Sequence, residues 1–302
     1  MSTVRGPLEE IKLFVNYHLN VGFDRLFLYF DDPMDPAIDY LENEKRVVCT
    51  RCSKEYWRDN SSEQLPPISH RQIINANNAH GKARSEGFAW IAHIDHDELV
   101  YAQGSLKTLL LSIPENGNVI RMPPLEALPV VPYGETIFSD ITLFKNFPHQ
   151  KQIDMAIARG CEKAFFEGEY FRGYHSPKSF LRVSAPLESM GVHRPKLKEE
   201  KDGTVLISSS IKVLHYDCSN YTAWKIKWLG RLNGVGTSIS MRENRKRQLE
   251  KFSSVFDLDD EHMLFELYRE LHMIPKNEID ILQTIGLLRE VNIDPNLFEP
   301  CI

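Results

Sequence analysis

The sequence predicts an α/β fold: a doubly wound, mainly parallel sheet flanked by helices, with a helical C-terminal tail. Apolar strands alternate with amphipathic helices through residues 1–50. Residues 25–30 are a near-continuous apolar run, the pattern of a strand covered on both faces. From residue 219 onward the apolar periodicity turns helical and stays so.

Residues 1–5 read as a short first strand, and Gly6-Pro7 turns the chain out of it. Ile11, Phe14, Val15, His18 and Leu19 fall at helical spacing, giving an amphipathic helix over 8–20 that Gly22 stops. The strand over 25–30 ends in Asp31 and Asp32 before a proline-bearing turn. A helix over 36–43 and a strand over 46–50 continue the alternation. Residues 55–69 are polar and carry Pro66-Pro67, so a loop is expected. A helix over 70–88, with a stripe at Ile73, Ala76, Ala79 and Ala83, leads to the apolar run Trp90-Ile-Ala-His-Ile94. A short helix over 105–112 and a strand over 118–122 follow. Five prolines between 123 and 148 predict a loop-rich lid. Gly168 and Gly173 mark points where backbone can approach a ligand closely. Residues 205–216 read as strand interrupted by a serine run. Beyond it, Tyr221, Trp224, Trp228 and Leu232 share one helical stripe, and further helices are expected over 242–252, 260–272 and 277–290. A boundary near Cys218 divides an α/β domain, 1–218, from a mostly helical region, 219–302. There is no internal repeat or low-complexity segment.

A net charge of -6 argues against general nucleic-acid binding, which needs a phosphate-neutralising surface. No stretch approaches the ~20 apolar residues of a membrane span. The N-terminus lacks the basic-then-apolar pattern of a secretory leader. Five cysteines, an odd number, make no disulfide framework, and Cys49-x-x-Cys52 has no second pair to complete a zinc site. A cytoplasmic protein with structural thiols is the expectation.

The chemistry concentrates after residue 90. The apolar run there ends in Asp95, Asp97 and Glu98. A buried strand that runs into acids delivers them to the carboxyl edge of a sheet, where open α/β folds bind ligands. Residues two apart on extended backbone face the same way, so Asp95 and Asp97 converge while His96 points elsewhere. Two hard oxygen donors aimed at one spot suit Mg²⁺ or Mn²⁺, ions usually shared with substrate phosphates. The plain reading of an acidic triplet is a solvated turn; the returning run Leu99-Val-Tyr101 favours the metal.

These motifs line up in order and spacing with others: a helix ending Tyr17-His-Leu-x-x-Gly22, a strand Asp24-Arg-Leu-Phe-Leu-Tyr29, then Met190-Gly-Val-His-Arg-Pro195 and Leu214-His-Tyr216. Over roughly residues 1–228 the set resembles the GT-A-fold (Rossmann-like) glycosyltransferases of the family-2-like and family-92-like (DUF23-type) group. One departure stands out: the family's Asn-Glu after the first strand is here Gly6-Pro7, with Glu9-Glu10 beyond. The resemblance implies transfer of a sugar from a nucleotide-sugar, a UDP-sugar, to a hydroxyl of a glycan or other acceptor, with inversion and with Mn²⁺ or Mg²⁺. By the same resemblance Asp95 approaches the ribose or shares the metal, and Asp97 ligates it. Asp31 or Asp32 contacts the base, and His193 or His215 completes the metal site. Lys82 and Arg84, on the helix before the central strand, are candidates to reach the diphosphate, although a solvated helix face is their plain reading. A carboxylate must take the acceptor's proton; Glu188 is the first candidate and Glu126 its rival.

The basic cluster Arg242-Glu-Asn-Arg-Lys-Arg247 is, plainly read, an exposed helix face; functionally read, it makes peripheral contact with an anionic membrane or steers an anionic acceptor. Two other functions share the need for paired carboxylates. A nucleotidyltransferase would carry an early glycine- and lysine-rich phosphate loop, and none stands between residues 1 and 22. A non-catalytic nucleotide- or glycan-binding module would bind without releasing UDP.

Overall fold

The computed structural model describes residues 1–63, 65–166, 170–199, 204–234 and 241–300; Gly168 lies outside them. In chain order the elements are β1 (Ser2–Val4), α1 (Leu8–Val21), β2 (Leu26–Phe30), α2 (Pro36–Leu41), β3 (Val47–Arg51), α3 (Lys54–Asn60), α4 (Ile68–Ser85) and β4 (Trp90–Ala92). Then come β5 (Glu98–Ala102), α5 (Leu106–Leu111), β6 (Val119–Met122), β7 (Pro124–Leu128), β8 (Leu143–Lys145), α6 (Gln150–Ala158), α7 (Lys163–Phe166), β9 (Lys178–Arg182), β10 (Leu187–Ser189) and β11 (Lys196–Leu197). The last are β12 (Val205–Ile207), β13 (Ile211–His215), α8 (Tyr221–Leu232), α9 (Glu243–Phe256), α10 (Glu261–His272), α11 (Lys276–Thr284), β14 (Leu288–Glu290) and a 3₁₀ turn at Pro295–Phe298. The predicted α/β class, with parallel and mixed sheets flanked by helices, is what the chain forms.

Two compact units divide the chain. One comprises residues 1–124, 176–213 and 294–302, the other residues 125–175 and 214–293, whereas the sequence places one boundary near Cys218.

In the first unit β1, β2 and β3 are parallel neighbours, with Leu28 opposite both Ser2 and Cys49. Every residue of β2 is buried, as its continuous apolar pattern requires. A second sheet runs β12-β6-β9-β4; β12 is parallel to β6, and β9 is antiparallel to both β6 and β4. The small residues Ala76, Ala79 and Ala83 let α4 pack closely, and they share one core with Phe27, Tyr29, Ile91 and Leu181. Helix α1 ends where Gly22 takes up φ 114°, a left-handed cap that only glycine adopts without strain.

In the second unit β8 lies between β7 and β14, antiparallel to both. The aromatic stripe of α8 is core: Trp224 and Trp228 are fully buried with Phe252 of α9 and Tyr268 of α10. The indole of Trp224 meets Phe252 edge-on with centroids 5.1 Å apart, the geometry aromatic pairs favour.

Three local expectations change. The polar stretch after β3 holds a helix, α3, nucleated by the Ser53 side chain accepting from Tyr56 N (3.3 Å) and anchored by buried Trp57. The proline-rich stretch is not all loop, because β7 lies in it with Leu125, Ala127 and Leu128 buried, and β8 with Phe144. The last predicted helix breaks at Gly286, φ 76°, and its end becomes strand β14.

Candidate functional site

Among the described residues each unit carries a cluster of buried charge at the end of a strand. In the first, β4 ends at Ala92 and the chain continues through His93 to Asp97 before β5 begins at Glu98. The turn is closed by its own acids: Asp95 N donates to Glu98 Oε2 (2.9 Å) and Glu98 N donates to Asp95 O (3.0 Å). The Asp95 carboxylate accepts from Lys178 Nζ (2.7 Å) and from Gln72 Nε2 (3.1 Å). Lys178, buried at the head of β9, also lies 3.4 Å from Glu98 Oε2. Burial opposes ionisation of Asp95, but the ammonium of Lys178 outweighs it and the carboxyl is held down to about 2. For Lys178, burial would lower its pKa, yet Asp95 and Glu98 raise it. This pair is charged at every ordinary pH. His93 is the reverse case: burial, reinforced by Lys178, lowers it to about 3, so it is neutral. Asp97 stands two residues beyond Asp95, half-buried.

The other candidates of this unit sit apart from one another. Asp31, at the end of β2, is ion-paired with Arg71, and Asp32 caps its own turn by accepting from Met34 N (2.9 Å). Lys82 donates to Thr50 Oγ1 (3.3 Å) and lies over the Tyr29 ring; burial lowers its pKa. Arg84 and Glu188 line one polar cleft of about 410 Å³, with Asn77, His80 and Lys198. There Glu188 is half-exposed and pairs with Lys196 (2.6 Å). His193 is half-buried, its carbonyl accepting from Ser179 Oγ (3.2 Å).

In the second unit Glu126 is buried on β7 and fully engaged. It accepts from Lys145 Nζ (2.8 Å) and Arg172 N (2.9 Å) through Oε1, and from Gly173 N (2.5 Å) through Oε2. Burial lowers the Lys145 pKa and Glu126 works against that. Gly173 is the close approach the sequence marks, but to protein: a Cβ there would stand 2.7 Å from His215 Cε1 and 3.0 Å from Glu126 Oε2. His215 and Asp217, two apart where β13 ends, each bring a ligand atom within 4.8 Å of the other. Imidazole and carboxylate donors together suit Mn²⁺ better than Mg²⁺. Asp217 itself is held by Arg245 and by Lys227 (2.5 Å). Against the cost of burial, those two cations keep its carboxyl well below the usual range.

Lys178, Gln72, Lys145 and Asp217 are the residues sequence reasoning misses. Asp217 was findable: His215-x-Asp217 has the same two-residue spacing as Asp95-x-Asp97.

No protein-family model matches the chain. Two Arabidopsis thaliana proteins named glycosyltransferase-like are each 24% identical to it, over 252 and 237 residues, or 73% and 71% of this chain. Those stretches are 53% and 46% of the two plant proteins, so the chain spans about half the length of the curated relatives it matches. The crystal structure of S. aureus TarS 1-349 in complex with UDP-GlcNAc aligns with a TM-score of 0.34 and 13% identity, covering 92% of this chain and 82% of that one.

Proposed function

We propose that the protein is a metal-dependent glycosyltransferase that moves a sugar from a UDP-sugar to a hydroxyl of a glycan or other acceptor, with inversion at the anomeric carbon. The observation that carries this reading is the acidic turn after β4, Asp95-His-Asp97-Glu98, in a chain similar over 73% of its length to a glycosyltransferase-like protein. Asp97 is assigned to ligation of Mn²⁺ or Mg²⁺, and His215 or His193 to completing the ligand set. A divalent ion, when bound, supplies Lewis-acid stabilisation of the charge that develops on the leaving diphosphate.

The remaining roles belong to the protein. Asp95, pinned by Lys178 and Gln72, keeps one orientation and is a fixed acceptor for the donor's ribose hydroxyls. Asp31 or Asp32, at the end of β2, is assigned to the base. Arg84 is exposed and retains its assignment to the diphosphate, whereas Lys82 is occupied by Thr50 and the Tyr29 ring. In the reaction the bond from the anomeric carbon to the diphosphate oxygen breaks, its electron pair leaving with the phosphate. The acceptor oxygen bonds to that carbon from the opposite face and its proton passes to a carboxylate. Glu188 is the better base, because its half-exposed carboxylate can meet an acceptor. Glu126 has both oxygens engaged and orients Gly173 instead.

The test is UDP release from a panel of UDP-sugars with Mn²⁺ present or chelated. The wild type is expected to release UDP only with metal, and Asp97→Asn to lose at least ~10²-fold in rate with an unchanged melting temperature, the size expected when a transition-state electrostatic group is removed. Equal rates for wild type and variant would overturn the assignment.

A further inference from the structure

Two aspartates two residues apart suggest that both ligate one ion. The acidic turn of the first unit is not built that way, and the reason is Lys178. This side chain opens β9 and is 1% exposed. Its ammonium has three protons and three acceptors: Asp95 Oδ2 at 2.7 Å, Val192 O at 3.3 Å and Glu98 Oε2 at 3.4 Å. The other oxygen of Asp95, Oδ1, accepts from Gln72 Nε2 at 3.1 Å. Each oxygen of Asp95 therefore has a protein donor already, and one of the two donors is a cation. The ammonium is not free to swing aside, because Val192 O and Glu98 hold it independently of Asp95 and the side chain is enclosed.

A divalent ion on Asp95 would share that carboxylate with a fixed positive charge, and like charges at such range oppose one another most strongly where water is excluded. Pushing Lys178 off Asp95 would instead leave a buried ammonium short of its counter-charge, which is costly in turn. A ligand hydroxyl meets neither obstacle. It brings no net charge, the carboxylate has lone pairs left to accept from it, and Asp95, with 26% of its side chain exposed, is within reach. We propose that Lys178 is a positioning residue that keeps the divalent ion off Asp95, so that of the two aspartates Asp97 alone ligates metal and Asp95 is reserved for hydroxyls of the nucleotide-sugar. That division of labour rests on the glycosyltransferase reading. The exclusion of the ion from Asp95 does not, because it follows from the contacts of Lys178 alone.

The test is a calorimetric titration of the full chain with Mn²⁺, without nucleotide, as wild type, Lys178→Met, Lys178→Gln and Lys178→Arg. Removing the ammonium leaves the Asp95 and Glu98 carboxylates without their cation. Lys178→Met and Lys178→Gln are therefore expected to bind Mn²⁺ at least ~10-fold more tightly than the wild type, a conservative size for removing one like charge beside the ion. Lys178→Arg keeps the charge and is expected to show no gain, and combining Lys178→Met with Asp95→Asn is expected to abolish it. A lysine that merely props the fold would not raise metal affinity when removed. Equal or weaker binding in a folded neutral variant, a gain in Lys178→Arg, or a gain that survives loss of the Asp95 carboxylate would each overturn the inference. If neither neutral variant folds, the wild type decides. In crystals soaked with Mn²⁺ and UDP the ion is expected on Asp97 with Lys178 still bonded to Asp95; an ion on Asp95, or none on Asp97, overturns the inference. Metal-dependent UDP release by the wild type without the gain in the variants would leave the glycosyltransferase reading standing and remove this one. The gain without any UDP release would do the reverse.

Discussion

Asp95 and Asp97 look equivalent in the sequence, yet their surroundings differ, and the difference comes from a lysine some eighty positions away. Lys178 fixes Asp95 in one place at 2.7 Å and holds its proton off at any physiological pH. Nothing near Lys178 in the chain announces this; it is one polar position heading an apolar strand, and only the pairing of β9 with β4 brings it to the acids. The acids themselves were legible as the polar end of an apolar strand, although residues 96 and 97 form a turn where extended backbone was expected. Gly173 was half legible: close approach was the right physics, but the object is the His215 ring and Glu126 rather than a ligand. A methyl group there must displace His215 by several tenths of an ångström or push Glu126 off its amide donors. Gly173→Ala is therefore expected to cost about 1–3 kcal/mol, the usual range for overpacking a filled interior. The check is a denaturant midpoint, and a midpoint equal to wild type would show the turn yields freely.

At the scale of elements, local chemistry and tertiary context pull apart in instructive places. Helix α3 lies where polar composition and two prolines suggest a loop, and what makes it a helix is a cap: Ser53 accepts from Tyr56 N while Trp57 is buried. Ser53→Ala removes that cap and is expected to destabilise by about 1 kcal/mol in urea denaturation, with little change in m-value. An unchanged midpoint would mean that Trp57 alone holds the segment. The β7–β8 region was misread for a related reason, since prolines interrupt strands only where an N–H is needed. Pro124 opens β7, the position a sheet tolerates, and the five residues after Met122 and Pro123 are buried. By contrast β2, α1 and the Trp224–Trp228 stripe were legible because each follows its own period without exception. The break at Gly286 was visible as a glycine but not as a boundary, because the apolar spacing runs on across it into β14.

The molecule as a whole is built to be lost to acid early, and His18 shows why. On α1 its Nδ1–H donates to Phe14 O (2.8 Å), while Nε2 accepts from Val100 N (3.3 Å). Those two bonds fix one neutral tautomer; protonation would set a second N–H against that of Val100. A histidine in the last turn of a helix is ordinarily favoured as a cation, but complete burial wins and lowers its pKa to about 3. His272, buried on α10, is likewise pushed well below its ordinary value, by burial. The sign follows from proton counting: below pH about 6.5 the unfolded chain protonates these rings while the folded chain does not. Stability is thus fully present above that pH and declines as pH falls toward the folded values. For His18 alone the loss between pH 6.5 and pH 5 is on the order of 2 kcal/mol. Asp95, whose carboxyl is lowered from 3.8 to about 2, contributes nothing to that decline, because its stabilisation erodes only below about pH 4. Urea midpoints at pH 7, 6 and 5 are therefore expected to fall steadily, well above the range where carboxylates titrate. A midpoint constant from pH 7 to pH 5, with loss only below 4, would mean that both rings reach water and proton more easily than their burial implies.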